Sequence, residues 1–342
     1  MGHLKFAAAL ALVLICQTLI CQPPAAHAEG LCLASWNVEN LFDLEDDPAV
    51  EGDEEYTPQS EKKWTKERLD IKLNNLAGVI KQLKGGKGPD VLGLCEVENR
   101  KVVELLVAKL APLGRKYEVV HKDSPSDRGI DTALIYDAKV FDLVDKKFHF
   151  VDADNTRDIV EAELKRVGGG ADGKSLYVFV NHWPSRGNDE WQRCMAGHVL
   201  RKRVDEILAA DPKAELVMVG DFNDEPDNVA IAKFLGAAKV TDSLPVDGLY
   251  NTTAYIAADG KGTFVYDDKW ELIDHIIVSP GLLDQEGYSW KPGSSKPVEF
   301  KEVFFHPRWQ GGFPRPSKSY SDTKFHKDGY SDHLAVECII TD

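Results

Sequence analysis

Short apolar segments, most of which lead into a polar motif, are the feature that most constrains how this chain folds. Their length and composition predict β-strands, which are expected at Leu31–Val38, Val91–Cys95, Tyr117–His121, Thr132–Tyr136, Phe148–Val151, Asp158–Leu164, Leu176–Asn181, Leu216–Gly220, Ile273–Ser279 and Leu334–Ile340. Helical patterns are expected at Trp64–Leu83, Lys101–Leu110 and Glu190–Ala210. Strands interrupted by helices in this way predict an α/β fold of two sheets packed face to face, with helices outside.

The first residues indicate an export signal rather than a part of the fold. An apolar run from Phe6 to Ile20 is too short for a comfortable membrane span, and it leads to the small-residue cleavage site Ala26-His27-Ala28. A signal peptide is expected at 1–28, with a retained N-terminal anchor as the alternative. Residues 29–342 contain no repeat or linker. We therefore expect a single domain, exported to the periplasm or the extracellular space, monomeric and without stable membrane association.

The charge balance limits the classes of partner. The 342 residues include 41 Lys and Arg against 56 Asp and Glu, a formal net charge of −15 at pH 7. Nonspecific binding to nucleic acid rests largely on basic contacts to phosphate, so this balance argues against a tight, processive DNA-binding protein. It leaves catalysis on nucleic acid open, because a bound divalent cation and a few local basic residues can reverse the sign of charge inside a cleft.

Four of the six cysteines lie beyond the expected signal peptide, at Cys32, Cys95, Cys194 and Cys338. Cys32 and Cys338 lie in the first and last expected strands, which could be neighbours. A disulfide between these two and a set of four unpaired thiols are both open alternatives. No Cys-x-x-Cys spacing suggests a zinc site.

Oxygen-bearing side chains at the ends of three expected strands indicate a metal site. Asn37, Glu96 and Asp332 are the candidate ligands. Mg²⁺ and Ca²⁺ take oxygen ligands, and cleavage of a phosphodiester needs a divalent cation, a deprotonated water and donors to the phosphoryl oxygens. Taken singly, each residue is equally explained as a turn, a cap or a solvated carboxylate; their order along one chain favours the metal site.

Two histidines are candidates for acid–base chemistry. His333 ends a Ser-Asp-His tripeptide, and Asp274 is the candidate carboxylate that fixes its tautomer. His182 could donate to the phosphate, with Asn181 positioning it. Arg186, four residues further on, provides a cation for phosphate binding.

Further polar side chains are expected around the same cleft. Asp221 directly follows a buried strand and could hold the attacking water, while Asn223 could bond a phosphate oxygen; an Asx turn explains Asn223 equally well. Asp131 precedes another strand and could orient His182, and Arg128 could contact phosphate. Both of these last assignments remain open from sequence alone.

Taken in order, these motifs resemble those of the endonuclease/exonuclease/phosphatase superfamily. The motifs that carry the resemblance are Trp36-Asn37-Val38-Glu39-Asn40-Leu41-Phe42, Glu96-Val97-Glu98-Asn99, Arg128-Gly129-x-Asp131, Asn181-His182-Trp183-Pro184-Ser185-Arg186, Gly220-Asp221-Phe222-Asn223, Ile273-Asp274 and Ser331-Asp332-His333. They span essentially the whole chain after the signal peptide. The Asn-His-Trp-Pro-Ser-Arg motif and Gly262-Thr263-Phe264-Val265-Tyr266 are similar to secreted bacterial members described as extracellular nucleases.

The resemblance implies a four-layered α/β sandwich, with two central mixed β-sheets flanked by helices. It implies Mg²⁺, or Mn²⁺, near Asn37, Glu96 and Asp332, with Ca²⁺ in a supporting role. His333, oriented by Asp274, would activate water as general base. The resemblance also implies that Asp221 and Asn223 position the nucleophile and the phosphate. It implies that His182 stabilises or protonates the reacting group.

Two positions depart from the usual family residues. Cys95 precedes the metal glutamate where a glutamine is common, and His275 follows Asp274 where an aromatic residue or glutamine is usual. Neither position carries a catalytic group, so the departures put tuning rather than activity in doubt. His275 itself is expected to be structural.

Three functions are compatible with these features. The first is an exported metal-dependent nuclease acting on DNA, or on RNA, through water activated by the His333–Asp274 pair. The second is a phosphoesterase for a small or lipid substrate, sphingomyelinase-like or inositol-phosphate phosphatase-like. The third is a non-enzymatic scaffold, disfavoured because every motif keeps a competent side chain. The aromatic-rich segment Lys291–Asp328 could contact lipid or bases, or simply pack onto the sandwich.

Overall fold

The structure is a computed structural model that describes residues 30–48, 50, 52–153, 156–239, 248–305 and 312–341. The signal peptide expected at 1–28 lies outside these residues, as does part of the aromatic-rich segment. Within the described ranges, every helix is too short or too polar to span a lipid bilayer.

The strands are listed here in chain order. They are β1 (Leu31–Leu41), β2 (Val91–Val97), β3 (Tyr117–His121), β4 (Asp131–Asp137), β5 (Phe141–His149), β6 (Ile159–Arg166), β7 (Ser175–His182), β8 (Glu215–Asp221), β9 (Ala237–Lys239), β10 (Leu249–Asn251), β11 (Phe264–Tyr266), β12 (Lys269–Glu271), β13 (Asp274–Val278), β14 (Ser289–Trp290), β15 (Lys296–Pro297), β16 (Phe304–Phe305), β17 (Arg315–Pro316), β18 (Tyr320–Ser321), β19 (Lys324–Phe325) and β20 (Val336–Thr341).

The helices separate these strands or cover them. The α-helices are α1 (Lys66–Ile80), α2 (Leu83–Gly86), α3 (Arg100–Lys109), α4 (Glu190–Ala210) and α5 (Ala254–Ala258). Short 3-10 turns lie at Glu54–Tyr56, Ala111–Leu113, Ala171–Gly173, Pro280–Leu283 and Lys301–Val303, and a π-helical turn at Ala230–Leu235.

The described strands form two seven-stranded sheets and three two-stranded hairpins. The first sheet has the order β14-β20-β1-β2-β4-β3, with β15 also paired to β20. The second has the order β5-β6-β7-β8-β13-β10-β9. Both are mixed, because β1–β2, β7–β8 and β9–β10 run parallel while the other neighbours run antiparallel.

Three apolar clusters fill the spaces between the layers. The cluster between the sheets takes inward residues from both, and it is tightest at Gly93, where an added Cβ would lie 3.0 Å from both Val180 and Val219. A second cluster packs α1 and α3 onto the outer face of the first sheet, and a third packs α4 onto the second sheet. The result is the expected four-layered α/β sandwich, with the two mixed sheets at its centre.

One edge of the sandwich collects the polar motifs. The parallel strands β1, β2, β7 and β8 all end there, and the strands antiparallel to them, β4, β6, β13 and β20, all begin there. This register brings segments that are far apart in sequence to a single edge.

Several element predictions need correction. The strand expected at Phe148–Val151 is instead the end of β5, a longer strand that reaches back to Phe141. Its sequence misled because it is the outer strand of its sheet and exposes a charged run. The helix expected from Trp64 begins at Lys66, because Thr65 caps Arg68 N and the Trp64 ring is buried in the core.

The described part of the aromatic-rich segment contains short strands. It contains β15 to β19, which are too short to have a recognisable sequence pattern. Among its described aromatic residues, Phe300, Phe304, Tyr320 and Phe325 pack against the cluster beneath the first sheet. This contact supports the packing alternative over an exposed lipid-binding surface.

The four cysteines in the described part of the chain are buried free thiols. β1 and β20 are neighbours as expected, but the register pairs Cys32 with Ile339 and Leu33 with Cys338. The two sulfurs therefore belong to opposite faces of the sheet, because successive side chains alternate. The Cys32–Cys338 disulfide is excluded.

Candidate active site

Backbone irregularities mark the catalytic edge. β1 has a register shift between Asn37 and Leu41, and β2 has one between Cys95 and Val97. Four non-glycine residues around the site have positive φ, namely Glu39 (53°), Asn40 (52°), Glu96 (62°) and Asn223 (51°). Such conformations are costly for non-glycine residues and concentrate at functional sites, where they aim side chains out of a regular strand.

Asp221, the last residue of β8, lies at the centre of the site. Its Oδ2 accepts a hydrogen bond from Asn37 Nδ2 at 3.0 Å, and its Oδ1 accepts one from Asn223 N at 2.9 Å. Two imidazoles flank the same Oδ2, with His182 Nε2 at 3.7 Å and His333 Nε2 at 3.8 Å. Burial raises the pKa of the Asp221 carboxyl.

His333 is held rigidly by its neighbours. Its Nδ1 lies 2.8 Å from Asp274 Oδ2, its backbone N donates to Ser331 Oγ at 3.0 Å, and its carbonyl accepts from Trp36 Nε1 at 3.0 Å. The Ser331 hydroxyl also donates to the carbonyl of Asn37 at 2.6 Å, which ties the tripeptide to β1. The predicted His333–Asp274 pair is therefore formed, with Nε2 directed toward Asp221.

The two imidazoles are in opposite electrostatic environments. Burial alone would lower the pKa of His333, but the carboxylates of Asp274 and Asp221 outweigh it and hold that pKa well above its usual range. Burial lowers the pKa of His182 well below its usual range, and the charges of Arg157 and Arg128 lower it further. Opposed shifts in one cleft are typical of groups with different proton-transfer roles.

The site can accommodate a divalent cation. Asp221, Asp274 and His333 form a buried cluster whose ligand atoms lie within 4.8 Å of one another, and Asp274 Oδ1 has no hydrogen-bond partner. The predicted ligands Glu96 and Asp332 lie at the same edge and are partly exposed. Burial raises the pKa of Asp332, and the Glu96 charge raises it further. A cation between these carboxylates would relieve that repulsion, and oxygen donors suit Mg²⁺ or Mn²⁺.

Asn37, the third predicted ligand, lies at the same edge, and both polar atoms of its amide already form hydrogen bonds. Its Nδ2 donates to Asp221, and its Oδ1 accepts from Glu39 N at 3.0 Å. The oxygen retains a second lone pair for a cation. Glu39 does not face the site, since its carboxylate accepts from Ser319 N and lies 3.5 Å from the buried Lys72 ammonium.

Asn181 is brought to the site but its side chain is turned inward. Its Nδ2 donates to the carbonyl of Val219 at 3.2 Å, and its Oδ1 accepts from Trp183 Nε1 at 3.1 Å. The structure thus gives this fully buried residue a supporting role instead of the phosphate contact that the sequence suggested. Asn223 remains half-buried at the cleft, and its Nδ2 donates to the carbonyl of Trp183 at 3.0 Å.

Asp131 does not orient His182, contrary to the prediction. Its carboxylate accepts from Ser124 N at 2.9 Å and from the Ser124 hydroxyl, and it lies 3.1 Å from His121 Nε2. The Nδ1 of His182 has no hydrogen-bond partner. Asp131 instead holds the loop that carries Arg128.

Arg128 and Arg186 both lie at the cleft, and each is bonded to a neighbouring polar or acidic side chain. Arg128 donates to Asn40 Oδ1 at 2.7 Å and lies 3.7 Å from Glu96 Oε2. Arg186 forms an ion pair with Glu271, which is on the β11–β12 hairpin. Both cations are therefore positioned at the site but partly neutralised.

Arg157 is a site residue that the sequence reasoning missed. It lies two residues before the start of β6, whose antiparallel register with β7 brings it near His182. Its side chain is only 6% exposed, its Nε has no hydrogen-bond partner, and its charge acts on Glu96 and Asp221. Burial lowers the pKa of its guanidinium to about 10. The available signal was its place directly before the strand expected at Asp158–Leu164, just as Asp131 directly precedes the strand expected at Thr132–Tyr136.

Comparison with known proteins gives the chain its relatives. Protein angel of Drosophila melanogaster is 22% identical over 201 residues, which is 56% of this chain and 55% of that protein. This chain thus spans about half the length of that curated relative.

Two solved structures from Bacteroides thetaiotaomicron share the fold. An endonuclease/exonuclease/phosphatase family protein has a TM-score of 0.57 and 17% identity, covering 92% of this chain and 98% of the other. A mannosyl-6-phosphatase has a TM-score of 0.56 and 16% identity, covering 91% and 100%.

The family model described as Endonuclease/Exonuclease/phosphatase family matches residues 32–341. That match includes every site residue described above. The chain therefore belongs to the endonuclease/exonuclease/phosphatase family.

Proposed function

We propose that this protein is an exported nuclease that hydrolyses phosphodiester bonds in DNA, and in RNA as a second substrate, by direct attack of water. The observation that carries the hydrolytic part is the arrangement around Asp221, whose Oδ2 lies 3.8 Å from His333 Nε2 while Asp274 orients that imidazole. A water molecule that bridges these two atoms would contact both the Asp221 carboxylate and the His333 imidazole. The motif similarity to extracellular nucleases supports the choice of nucleic acid.

The Asp221–His333 pair would take the proton of the attacking water. Two ionisable groups this close titrate together, so the proton belongs to the pair. Because Asp274 and Asp221 hold His333 as the imidazolium, the Asp221 carboxylate is the member of the pair that would accept the proton. Asn37 and Asn223 would hold the Asp221 carboxylate in place through their hydrogen bonds to its two oxygens.

Cationic and neutral donors would face the scissile phosphate from the other side of the cleft. Arg157 and Arg128 provide charge near His182, and burial keeps that imidazole neutral. Donors already in place where negative charge develops lower the barrier without reorganisation. His182 would therefore act as a neutral hydrogen-bond donor through Nε2.

Glu96, Asp332 and Asn37 would hold the divalent ion, for which we propose Mg²⁺ or Mn²⁺. When bound, such an ion polarises a phosphoryl oxygen and lowers the pKa of a water ligand. Export, a monomeric state and only transient contact with the nucleic acid are part of the same proposal.

A phosphomonoesterase for a small substrate is the second candidate. The net charge of −15 favours it, because that charge opposes a polyanion at long range. A mannosyl-6-phosphatase also shares the fold of this chain. This fold likeness, at 16% identity, does not choose between the two substrates.

The test is hydrolysis by the purified protein of plasmid DNA, RNA, bis-p-nitrophenyl phosphate and mannose 6-phosphate. Each substrate is offered with Mg²⁺, with Mn²⁺ and with a chelator. Chelator-sensitive loss of plasmid DNA is the expected result. Release of inorganic phosphate from mannose 6-phosphate, with DNA left intact, would replace the nuclease by the second candidate.

A further inference from the structure

We propose that the β11–β12 hairpin forms a binding subsite that stacks a nucleobase on the open face of Tyr266, adjacent to the scissile phosphate. The inference rests on the proposed phosphodiesterase function and deepens it, because it names the part of the substrate that the protein recognises. Four features of the hairpin carry it.

The hairpin is attached directly to the catalytic histidine. Phe264 forms an isolated antiparallel bridge with His333, and Leu334 N donates to the carbonyl of Thr263 at 2.8 Å. The rings of Phe264 and His333 lie 4.9 Å apart at an interplanar angle of 37°. The beginning of β11 is thus a wall of the catalytic centre.

The two faces of the hairpin have different surroundings. Side chains alternate along a strand, so Phe264 and Tyr266 share one face, while Val265 and its cross-strand partner Trp270 lie on the other. The Trp270 ring packs 6.1 Å from Phe304 and 6.4 Å from Phe313, which anchors that face. The face that begins at His333 leads outward to Tyr266, which is 64% exposed.

A guanidinium reinforces the exposed ring. The Cζ of Arg186 lies 5.8 Å from the centre of the Tyr266 ring, and its guanidinium pairs with Glu271 on the same face. The charge of Asp221 also acts on Arg186, so the guanidinium lies within electrostatic reach of the reacting centre. An aromatic ring beside an arginine is a platform on which bases stack regardless of their sequence.

The chemistry around Tyr266 favours a nucleobase over a lipid. Lys269 lies directly across the hairpin, and Asp268 at the tip pairs with Arg315. A single flat ring among charged groups is not the broad apolar patch that a lipid surface requires. It is large enough for one base, and it lies two residues along β11 from Phe264, the residue that bridges to His333.

The test compares two substrates and three proteins, with a fourth protein as the control. The substrates are a thymidine dinucleotide and the same phosphodiester with tetrahydrofuran in place of both nucleosides. The proteins are the wild type, Tyr266→Ala and Tyr266→Phe. Phe234→Ala is the matched control, since Phe234 is also an exposed aromatic residue, with 44% of its surface accessible. It directly precedes the region of β9, which pairs with β10 at the end of β13 that is remote from Asp274.

We expect Tyr266→Ala to raise KM for the dinucleotide roughly tenfold, the loss of one stacked base, with kcat within about twofold. KM for the tetrahydrofuran substrate should stay unchanged, and Tyr266→Phe and Phe234→Ala should behave as wild type. The proposal would be overturned if the wild type had the same KM for both substrates. It would also be overturned if Tyr266→Ala raised KM equally for both.

A binding measurement separates this inference from the catalytic one. Equilibrium titrations with thymidine 5′-monophosphate and with deoxyribose 5-phosphate need no turnover. Tighter binding of the nucleotide that is lost in Tyr266→Ala supports the subsite even if no diester is cleaved. Equal affinities, both weakened in Tyr266→Ala, would show that the ring stacks a sugar and would refute the assignment.

Discussion

At the scale of single residues, the site combines a hydrogen-bonded pair with a buried arginine that lowers the stability of the fold. His333 and Asp274 satisfy each other at 2.8 Å, whereas Arg157 is buried with its Nε unbonded. A buried polar group without a partner destabilises a fold by about 1–3 kcal/mol. Its retention beside Glu96 and Asp221 is explained if a phosphate oxygen supplies the missing partner.

Replacing His333 by Ala should abolish most turnover, because the Asp221 carboxylate then loses the imidazolium with which it shares the proton of the attacking water. We expect a fall in kcat of about 10²- to 10⁴-fold. Asp274→Asn should give a smaller fall, since the imidazole remains but is no longer held as imidazolium. Steady-state kinetics on bis-p-nitrophenyl phosphate measures both, with His198→Ala, an exposed histidine on α4, as the control. Full activity of His333→Ala would contradict the assignment.

Arg157→Met should separate activity from stability. We expect kcat/KM to fall by about 10²- to 10³-fold through loss of a phosphate donor, with the free energy of unfolding unchanged or higher. Arg203→Met is the matched control, because Arg203 is paired with Glu161 on the outer side of the second sheet. It should lose stability and keep activity. A destabilised but fully active Arg157→Met would show that Arg157 is purely structural.

At the scale of elements, the strand ends rather than the strand interiors hold the chemistry. The parallel neighbours β7 and β8 end at His182 and Asp221, while β13 begins at Asp274 directly beside Asp221. Gly220 allows this close approach, because its φ is 137° and an added Cβ would lie 2.0 Å from the carbonyl oxygen of Asn181. The positions of the strands could be predicted from their apolar runs, but this contact depends on register.

His275 in β13 should make the stability of the fold depend on pH. Its Nε2 lies 2.9 Å from the carbonyl oxygen of Asp224 and its Nδ1 lies 3.0 Å from Asn251 Nδ2, so the buried ring is neutral. Burial lowers its pKa to about 4. The unfolded chain, with a histidine pKa of about 6.5, takes up a proton first as the pH falls.

Stability from His275 should therefore be present above pH 6.5 and be lost between pH 6.5 and 4, by about 3 kcal/mol in total. Urea unfolding of the wild type and of His275→Gln across this range tests it, with His198→Gln as control. The difference in unfolding free energy between wild type and His275→Gln should shrink toward pH 4. A constant difference would refute the role of His275.

At the scale of the whole molecule, the net charge of −15 opposes a polyanionic substrate while the cleft attracts it. Arg157, Arg128 and Arg186 provide local positive charge, and the long-range field remains negative. Repulsion between exposed charges is screened over about 10 Å at 0.1 M salt. The enzyme should thus differ from a basic nuclease in how it responds to ionic strength.

Raising NaCl from 20 to 150 mM at saturating Mg²⁺ should leave kcat/KM for plasmid DNA unchanged or increase it. A protein that binds DNA through many phosphate contacts would lose affinity by orders of magnitude over this range. The control substrate is bis-p-nitrophenyl phosphate, a small monoanion that the negative field repels only weakly. Little change in kcat/KM is expected for it. A steep fall specific to DNA would indicate an extended basic surface and contradict this account.

The sequence alone determined the layered α/β architecture, because apolar periodicity reports which face of each element is buried. It also predicted that His333, Asp274 and Asp221 lie close together, since polar groups that follow apolar strands tend to reach one edge of a sheet. Only the tertiary structure decided what each group contacts. Asn181 turns inward, Asp131 pairs with His121, and Arg157 enters the cleft, because hydrogen-bond partners depend on register across strands far apart in the chain. Periodicity along one chain records burial, and it carries no information about which neighbour a side chain meets.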